Sequence, residues 1–255
     1  MNNRIVILLG LFLVFLGCDK ERELEFTSES FSQKQLPECE QVSCPEITVS
    51  YTKILGDDEV AKNINLQIKG FIIGALYMGD DERPSTAKTI AEAASGFIRM
   101  YRMHSAEFPD MKTEYFADIS VTEGYVSKTL ISFEMRSYLF TGGAHGYGSV
   151  YFTNFDPQTG EEISSEALFN DKSAITLFVE KKFRKEFDIP ETGNINTTGF
   201  WFENDTFYLP EHIGFTEQEM IVHYNQYDIA SYAAGPVTLN IPLSQIEPFL
   251  QIKLK

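Results

Sequence analysis

The residues best suited to chemistry sit in Thr141-Gly142-Gly143-Ala144-His145-Gly146-Tyr147, which sets one imidazole among three glycines in seven residues. An imidazole titrates near neutral pH and offers two nitrogens, so His145 suits a general base, a metal ligand or a hydrogen-bonding anchor beside a cleft. A catalytic or metal role needs partners at suitable spacing, and the sequence around His145 offers none. The same run also reads as a sharp turn at a strand end, because glycine tolerates positive φ and lets a backbone or a ligand approach closely. Structure or ligand positioning is the expected role, carried by Gly142, Gly143, His145 and Tyr147. A hydrolase using His145 with a carboxylate or metal is the alternative.

A second chemical feature is the tyrosine run Tyr224, Tyr227 and Tyr232. Tyrosine joins an apolar body to a polar tip and is enriched at recognition surfaces, so these three are binding candidates that could stack sugars or contact a protein. They serve equally well as core residues hydrogen-bonded at a sheet edge. Other chemistries lack their motifs: the chain has no Gly-x-Ser-x-Gly elbow, no His-Glu-x-x-His and no glycine-rich phosphate loop followed by lysine. No catalytic residue, metal ligand or cofactor is expected.

The formal net charge of -16 and a pI near 4.6 repel phosphate backbones and argue against nucleic acid as a partner. Residues 1–17 carry Arg4 as their one charge and an apolar run from Ile5 to Leu16, too short for a permanent span but matched to an export signal. Phe15-Leu16-Gly17-Cys18 resembles a bacterial lipobox, with Phe15 in place of the usual leucine, so Cys18 is expected to be lipidated. That leaves Cys39 and Cys44, an even remainder that in an exported chain reads as a disulfide, with two free thiols as the other option.

The elements that must position these residues follow from periodicity. Asp19 to Leu36 is polar and acidic without sustained period and reads as a tether, so 18–44 is taken as tether plus disulfide loop. Ile47, Val49 and Tyr51 alternate as a strand; Val60, Ile64, Ile68, Phe71, Ile72 and Ala75 define a helix capped by Asp57 or Asp58. Pro84 with Ser85 or Thr86 opens a second helix through Ile90, Ala94, Phe97, Ile98 and Tyr101. Strands follow at Tyr115–Thr122, Tyr125–Phe140 and Ser149–Phe155, with a turn at Glu123-Gly124. A third helix spans about Lys172–Phe187, whose Lys181, Lys182, Arg184 and Lys185 read as its solvated face. Strands at Met220–Tyr224 and Val237–Ile241 precede a last short helix with a capping box at Ser244 and Glu247.

Several of these motifs occur together elsewhere. Asn63-Ile64-Asn65, Tyr138 with Thr141-Gly142-Gly143-Ala144-His145-Gly146, Asn154-Phe155-Asp156 with Thr159-Gly160, and Tyr227-Asp228-Ile229-Ala230 with Tyr232-Ala233-Ala234-Gly235 resemble a pair of adjoining extracytoplasmic domains of unknown function. Such domains form the outer part of RsiV-like lysozyme-sensing anti-sigma factors and the non-catalytic region of PdaC-like peptidoglycan deacetylases. The resemblance covers roughly Pro45 to Leu250 and implies an α+β fold and an envelope location. No sigma-binding segment or deacetylase domain is read in these 255 residues, so neither activity is expected of them.

The expectation is an α+β protein of antiparallel sheet meanders with helices packed on one face, in two adjoining subdomains, 45–140 and 141–255, behind a lipoprotein signal peptide over 1–17. It should be a non-enzymatic, lipid-anchored protein of the bacterial cell envelope, facing the periplasm or the cell surface. Its partner should be a basic protein such as lysozyme, or peptidoglycan fragments. The alternative stands as an envelope hydrolase.

Overall fold

The computed structural model describes residues 24–79, 85–109 and 113–254; the signal segment 1–17 and Cys18 lie outside them. Among the described residues the strands form a five-stranded sheet, in the order β1 to β5, and a three-stranded sheet, β6 to β8. The strands are β1 (Phe26–Ser32), β2 (Glu46–Ile54), β3 (Phe116–Val126), β4 (Ile131–Phe140), β5 (Tyr147–Phe155), β6 (Ile213–Phe215), β7 (Glu219–Tyr224) and β8 (Val237–Pro242). The helices are α1 (Glu59–Ala75), α2 (Ile90–Glu107), α3 (Ser165–Leu168), α4 (Lys172–Glu186) and α5 (Leu243–Ile246). The expected α+β class holds. One pairing departs from a meander: β2 and β3 run parallel, because both long helices lie between them and carry the chain back to the starting edge.

The first core follows from two periods meeting. Ile47 and Val49 of β2, Ile119 and Val121 of β3, and Phe133 and Met135 of β4 alternate inward, while Ile64, Ile68 and Ile72 of α1 recur every four residues and bury against them. Asp58 caps α1, its carboxylate accepting the Ala61 N–H at 3.0 Å. Asn65 then locks helix to sheet by accepting the Ile54 N–H at 2.9 Å and donating to the Ile54 carbonyl at 2.8 Å, as a neighbouring strand would. Helix α2 starts at Ile90 under a Thr89 cap, later than the Ser85 or Thr86 opening; Pro84 lies outside the described residues.

Three sequence expectations give way here. Residues 26–32 are not tether: they form β1, paired antiparallel to β2 with Phe26 opposite Ile54 and Ser32 opposite Thr48. A polar edge strand has no buried face to give it a period, so only its partner defines it. The disulfide does form, Cys39 to Cys44, and Arg102 of α2 donates to the Glu38 carbonyl at 3.1 Å, stapling the entering chain to the helix. Strand β5 is hydrogen-bonded to β4, so the glycine turn lies inside the first sheet and not at the start of a second unit. Finally, Glu123-Gly124 is a bulge within β3, and the reversal falls at 127–130.

Gly124 is needed for a different reason: a Cβ there would lie 2.7 Å from the Phe215 carbonyl of β6. The second sheet therefore presses directly on the first. Ser132 of β4 accepts the Phe215 N–H at 3.1 Å, and Asn154 of β5 donates to the Ile213 carbonyl at 2.7 Å. Beyond this joint lies the second core, where Ile175, Val179 and Phe183 of α4 face β7 and β8. The outward lysines of α4 are solvated, but Arg184 is not merely a surface charge: it pairs with Glu180 at 2.7 Å and donates to the Pro190 and Gly193 carbonyls, tying down the loop after the helix. The expected box at Ser244 and Glu247 is absent, because α5 begins at Leu243 directly from β8 and Pro242 takes the cap position.

Candidate functional site: an aromatic ledge at the joint

The turn between β4 and β5 is built as its sequence demands. Gly142 and Gly143 hold φ of +99° and +90°, a region that strains other residues. Gly146 answers a close approach, since a Cβ on it would sit 2.6 Å from the Tyr138 hydroxyl. The two ends of the turn point to different surroundings. Gly142 and Gly143 line a shallow cleft of about 240 Å³ with His104, Phe108, Thr113 and Tyr115, while His145 turns to the opposite partner, Tyr232.

Tyr232 arrives from the loop after β7, and Asn225 is what brings that loop in. Its side chain accepts the Val150 N–H at 2.7 Å and donates to the Val150 carbonyl at 3.1 Å, capping the free edge of β5. Asn225 in turn gives its own N–H to the Asp228 carboxylate at 2.7 Å. Held this way, the Tyr232 ring stacks on His145 with centroids 3.7 Å apart and planes at 20°, and its hydroxyl donates to the Gly146 carbonyl at 3.1 Å. Tyr227 packs 5.6 Å from Tyr232 and carries φ of +72°, a conformation costing a bulky L-residue about 1–2 kcal/mol.

Trp201, the one tryptophan of the chain, extends the row. Its backbone N–H donates to the Ile229 carbonyl at 2.9 Å and its indole N–H reaches the Tyr227 carbonyl at 3.4 Å. Tyr208 lies alongside, its hydroxyl 3.4 Å from the Asp228 carbonyl. Burial, with Asp228 and Glu203 adding, raises the Tyr208 phenol above its ordinary value; burial and then the neighbouring Tyr151, Asp228 and Tyr227 raise Tyr147. The result is a ledge of rings in which Trp201 is 45% exposed, Tyr147 45% and Tyr227 52%. Large rings exposed together are a feature that protein recognition surfaces share.

Of the binding candidates, His145, Tyr147, Tyr227 and Tyr232 come together on this ledge; Gly142 and Gly143 line the cleft beside it. Tyr224 does not. It is 1% exposed, its hydroxyl donates to the Tyr208 carbonyl at 2.5 Å, and burial drives its phenol far above the ordinary value, so it belongs to the second core. Trp201, Tyr208 and Asp228 were not singled out from sequence. The signal was present, since the segment 199–208 holds five rings and Asp228 stands in the Tyr227-Asp228-Ile229-Ala230 motif, but nothing local says which rings face out.

His145 Nδ1 lies 3.0 Å from the Gly146 carbonyl and the ring face is covered by Tyr232. Both contacts fix the orientation of the imidazole. Among the described residues no cluster of three or more His, Cys, Asp or Glu is placed to hold a metal ion, and no helix is long and apolar enough to cross a membrane.

Fold and site together define an α+β protein of two pressed sheets with an exposed aromatic ledge at their joint. Residues 38–147 match the family model described as deacetylase PdaC, and residues 166–244 match that of a protein of unknown function, DUF3298. These lie one after the other along the chain, the pairing its motifs resemble. A solved DUF3298 family member from Bacteroides fragilis is 21% identical, with 90% of this chain and 94% of that one covered at a TM-score of 0.69. Another from Pseudomonas aeruginosa PAO1 is 16% identical, with 91% and 96% covered at 0.57. At these identities the likeness is one of fold. Comparison with curated proteins finds no match.

Proposed function

We propose that this is a non-enzymatic binding protein of the bacterial cell envelope, anchored by lipid on Cys18, whose ledge recognises a protein or peptidoglycan-derived ligand. The observation that carries the reading is the continuous row Trp201, Tyr227, Tyr232 and His145, held open to solvent by contacts from both sheets. Rigid rings present large contact area at low entropic cost, which is what a binding surface requires. Net charge favours a basic partner, and a lysozyme-like protein fits that requirement, because opposite charge speeds encounter.

Titration of the full chain with lysozyme, read by the heat of binding, tests this at low and moderate salt. The expected result is a saturable change that weakens as salt rises. No response at low salt either to lysozyme or to soluble peptidoglycan fragments would sink the reading. So would turnover of a wall-derived compound that disappears in His145→Ala with the fold intact.

A further inference from the structure

The ledge is more than a hydrophobic surface, because the loop that carries its rings also carries an exposed carboxylate, Asp228, next to Tyr227. Tyr227 immediately precedes Asp228, and Trp201 and Tyr208 donate to the Tyr227 and Asp228 carbonyls, each at 3.4 Å. Tyr147 comes across from β5, near enough for the Asp228 charge to contribute to the upward shift of its phenol, after burial and Tyr151. Asp228 itself is exposed, yet one of its oxygens is fixed by the Asn225 N–H, and Asn225 is fixed by the Val150 backbone. The carboxylate is thus preorganised, and it forms no salt bridge among the described residues.

We infer that this box takes one guanidinium group: an arginine side chain of a basic protein partner, seated against the rings with its charge on Asp228. The inference rests on the binding function proposed above and names the chemistry that the ledge reads. Aromatic faces carry negative quadrupole and attract cations, arginine more often than lysine, because a planar guanidinium also stacks. A carboxylate held among such faces adds a charge-assisted hydrogen bond with little reorganisation. An anionic ligand would meet both Asp228 and the net charge of -16, and a neutral sugar brings hydroxyls for the carboxylate but no cation for the ring faces.

The test titrates the full chain in detergent micelles with hexa-arginine, hexa-lysine and tri-N-acetylchitotriose, following Trp201 emission. Hexa-arginine should saturate the signal, bind more tightly than hexa-lysine, and weaken on the order of tenfold in Asp228→Asn. That variant keeps an oxygen for the Asn225 N–H, so circular dichroism should match the parent. Tyr147→Phe, which retains the ring face, should bind like the parent, and Tyr147→Ala should not. Glu29→Gln on β1, at the opposite edge of the first sheet, removes an equal charge and should change nothing. Equal affinity of hexa-arginine for parent and Asp228→Asn, hexa-lysine binding as tightly as hexa-arginine, or saturation by the sugar alone would each overturn the assignment. Binding of lysozyme or of soluble peptidoglycan fragments that persists through such a failure would leave the broader reading standing; no response of the parent to either would remove both.

Discussion

Two aromatic populations lie within a few residues of each other in this protein and do opposite things. The inner one gathers on Phe183, with Phe187 at 4.5 Å, Phe200 at 5.0 Å, Phe202 and Phe207 at 5.4 Å and Tyr224 at 6.2 Å between ring centroids. The outer one is the ledge of Trp201, Tyr227, Tyr232 and His145. The chain passes between them repeatedly: Phe202 is buried and Trp201 exposed, Phe207 buried and Tyr208 exposed, Tyr224 buried and Tyr227 exposed. Composition does not distinguish the two. Inside, each polar tip is matched, as Tyr224 is by the Tyr208 carbonyl; outside, ring faces and a carboxylate stay open, and strain at Tyr227 is tolerated. A core minimises its own energy, and the ledge does not.

The largest effect should come from emptying the inner cluster. Phe183→Ala leaves a cavity beneath five rings and should cost about 3–5 kcal/mol in denaturant unfolding, with the ledge lost only through global unfolding. A loss under about 1 kcal/mol would mean that the cluster is not the keystone of the second core. Next, Tyr224→Phe retains the packing but strips a hydrogen bond from the Tyr208 carbonyl, for a loss of about 1 kcal/mol and no change in ligand affinity. If affinity fell as far as it does in ledge variants, Tyr224 would belong with the outer group after all.

Reversal at Tyr227 should separate binding from stability. Tyr227→Gly relieves a positive φ while adding unfolded-state entropy, so stability should move by less than about 1 kcal/mol in either direction. Binding, however, should drop with the ring. A variant that unfolds easily and still binds would invert the comparison and make Tyr227 a structural residue.

How much of this division could be read from the chain depends on whether its cause is local. The faces of α1 and α4 were legible because a helix repeats its burial every three or four residues, and the cap Asp58 sits next to its helix. The need for positive φ at Gly142 and Gly143 was legible for the same reason. What failed was set at a distance. Gly124 answers a carbonyl of another sheet, β1 is defined by its partner β2, and Tyr224 parts from Tyr227 because Asn225, between them, is pinned to Val150 across 75 residues. The ledge was therefore half visible: four of its rings and Asp228 stood in motifs, but Trp201 and Tyr208 became part of it only when two loops met.

The smallest and most particular effect concerns a histidine that sequence alone did not single out. His223 sits on β7 beside Tyr224 and is 9% exposed; its Nδ1 lies 2.8 Å from the Thr238 hydroxyl and Phe152 packs edge-on to its ring. Burial, with the Arg136 cation adding, lowers its pKa below the ordinary 6.5, against opposing contributions from Asn225, Asp228 and Glu134. The folded protein thus resists a proton that the unfolded chain accepts, so this contribution to stability is complete above about pH 6.5 and is lost as pH falls below it towards the folded value. His223→Gln, which can still bond Thr238, should flatten the decline of stability between pH 6.5 and the lowered value while leaving the plateau at higher pH within about 1 kcal/mol of the parent. Because Asp228 is among the charges that act on His223, Asp228→Asn should lower the histidine further and steepen the same decline, whereas Glu29→Gln on β1, the far edge of the first sheet, should leave it alone. A slope flattened by His223→Gln but unchanged by Asp228→Asn would mean that the buried and the exposed groups do not communicate through the joint, and the ledge would then be a surface laid over a core that does not sense it.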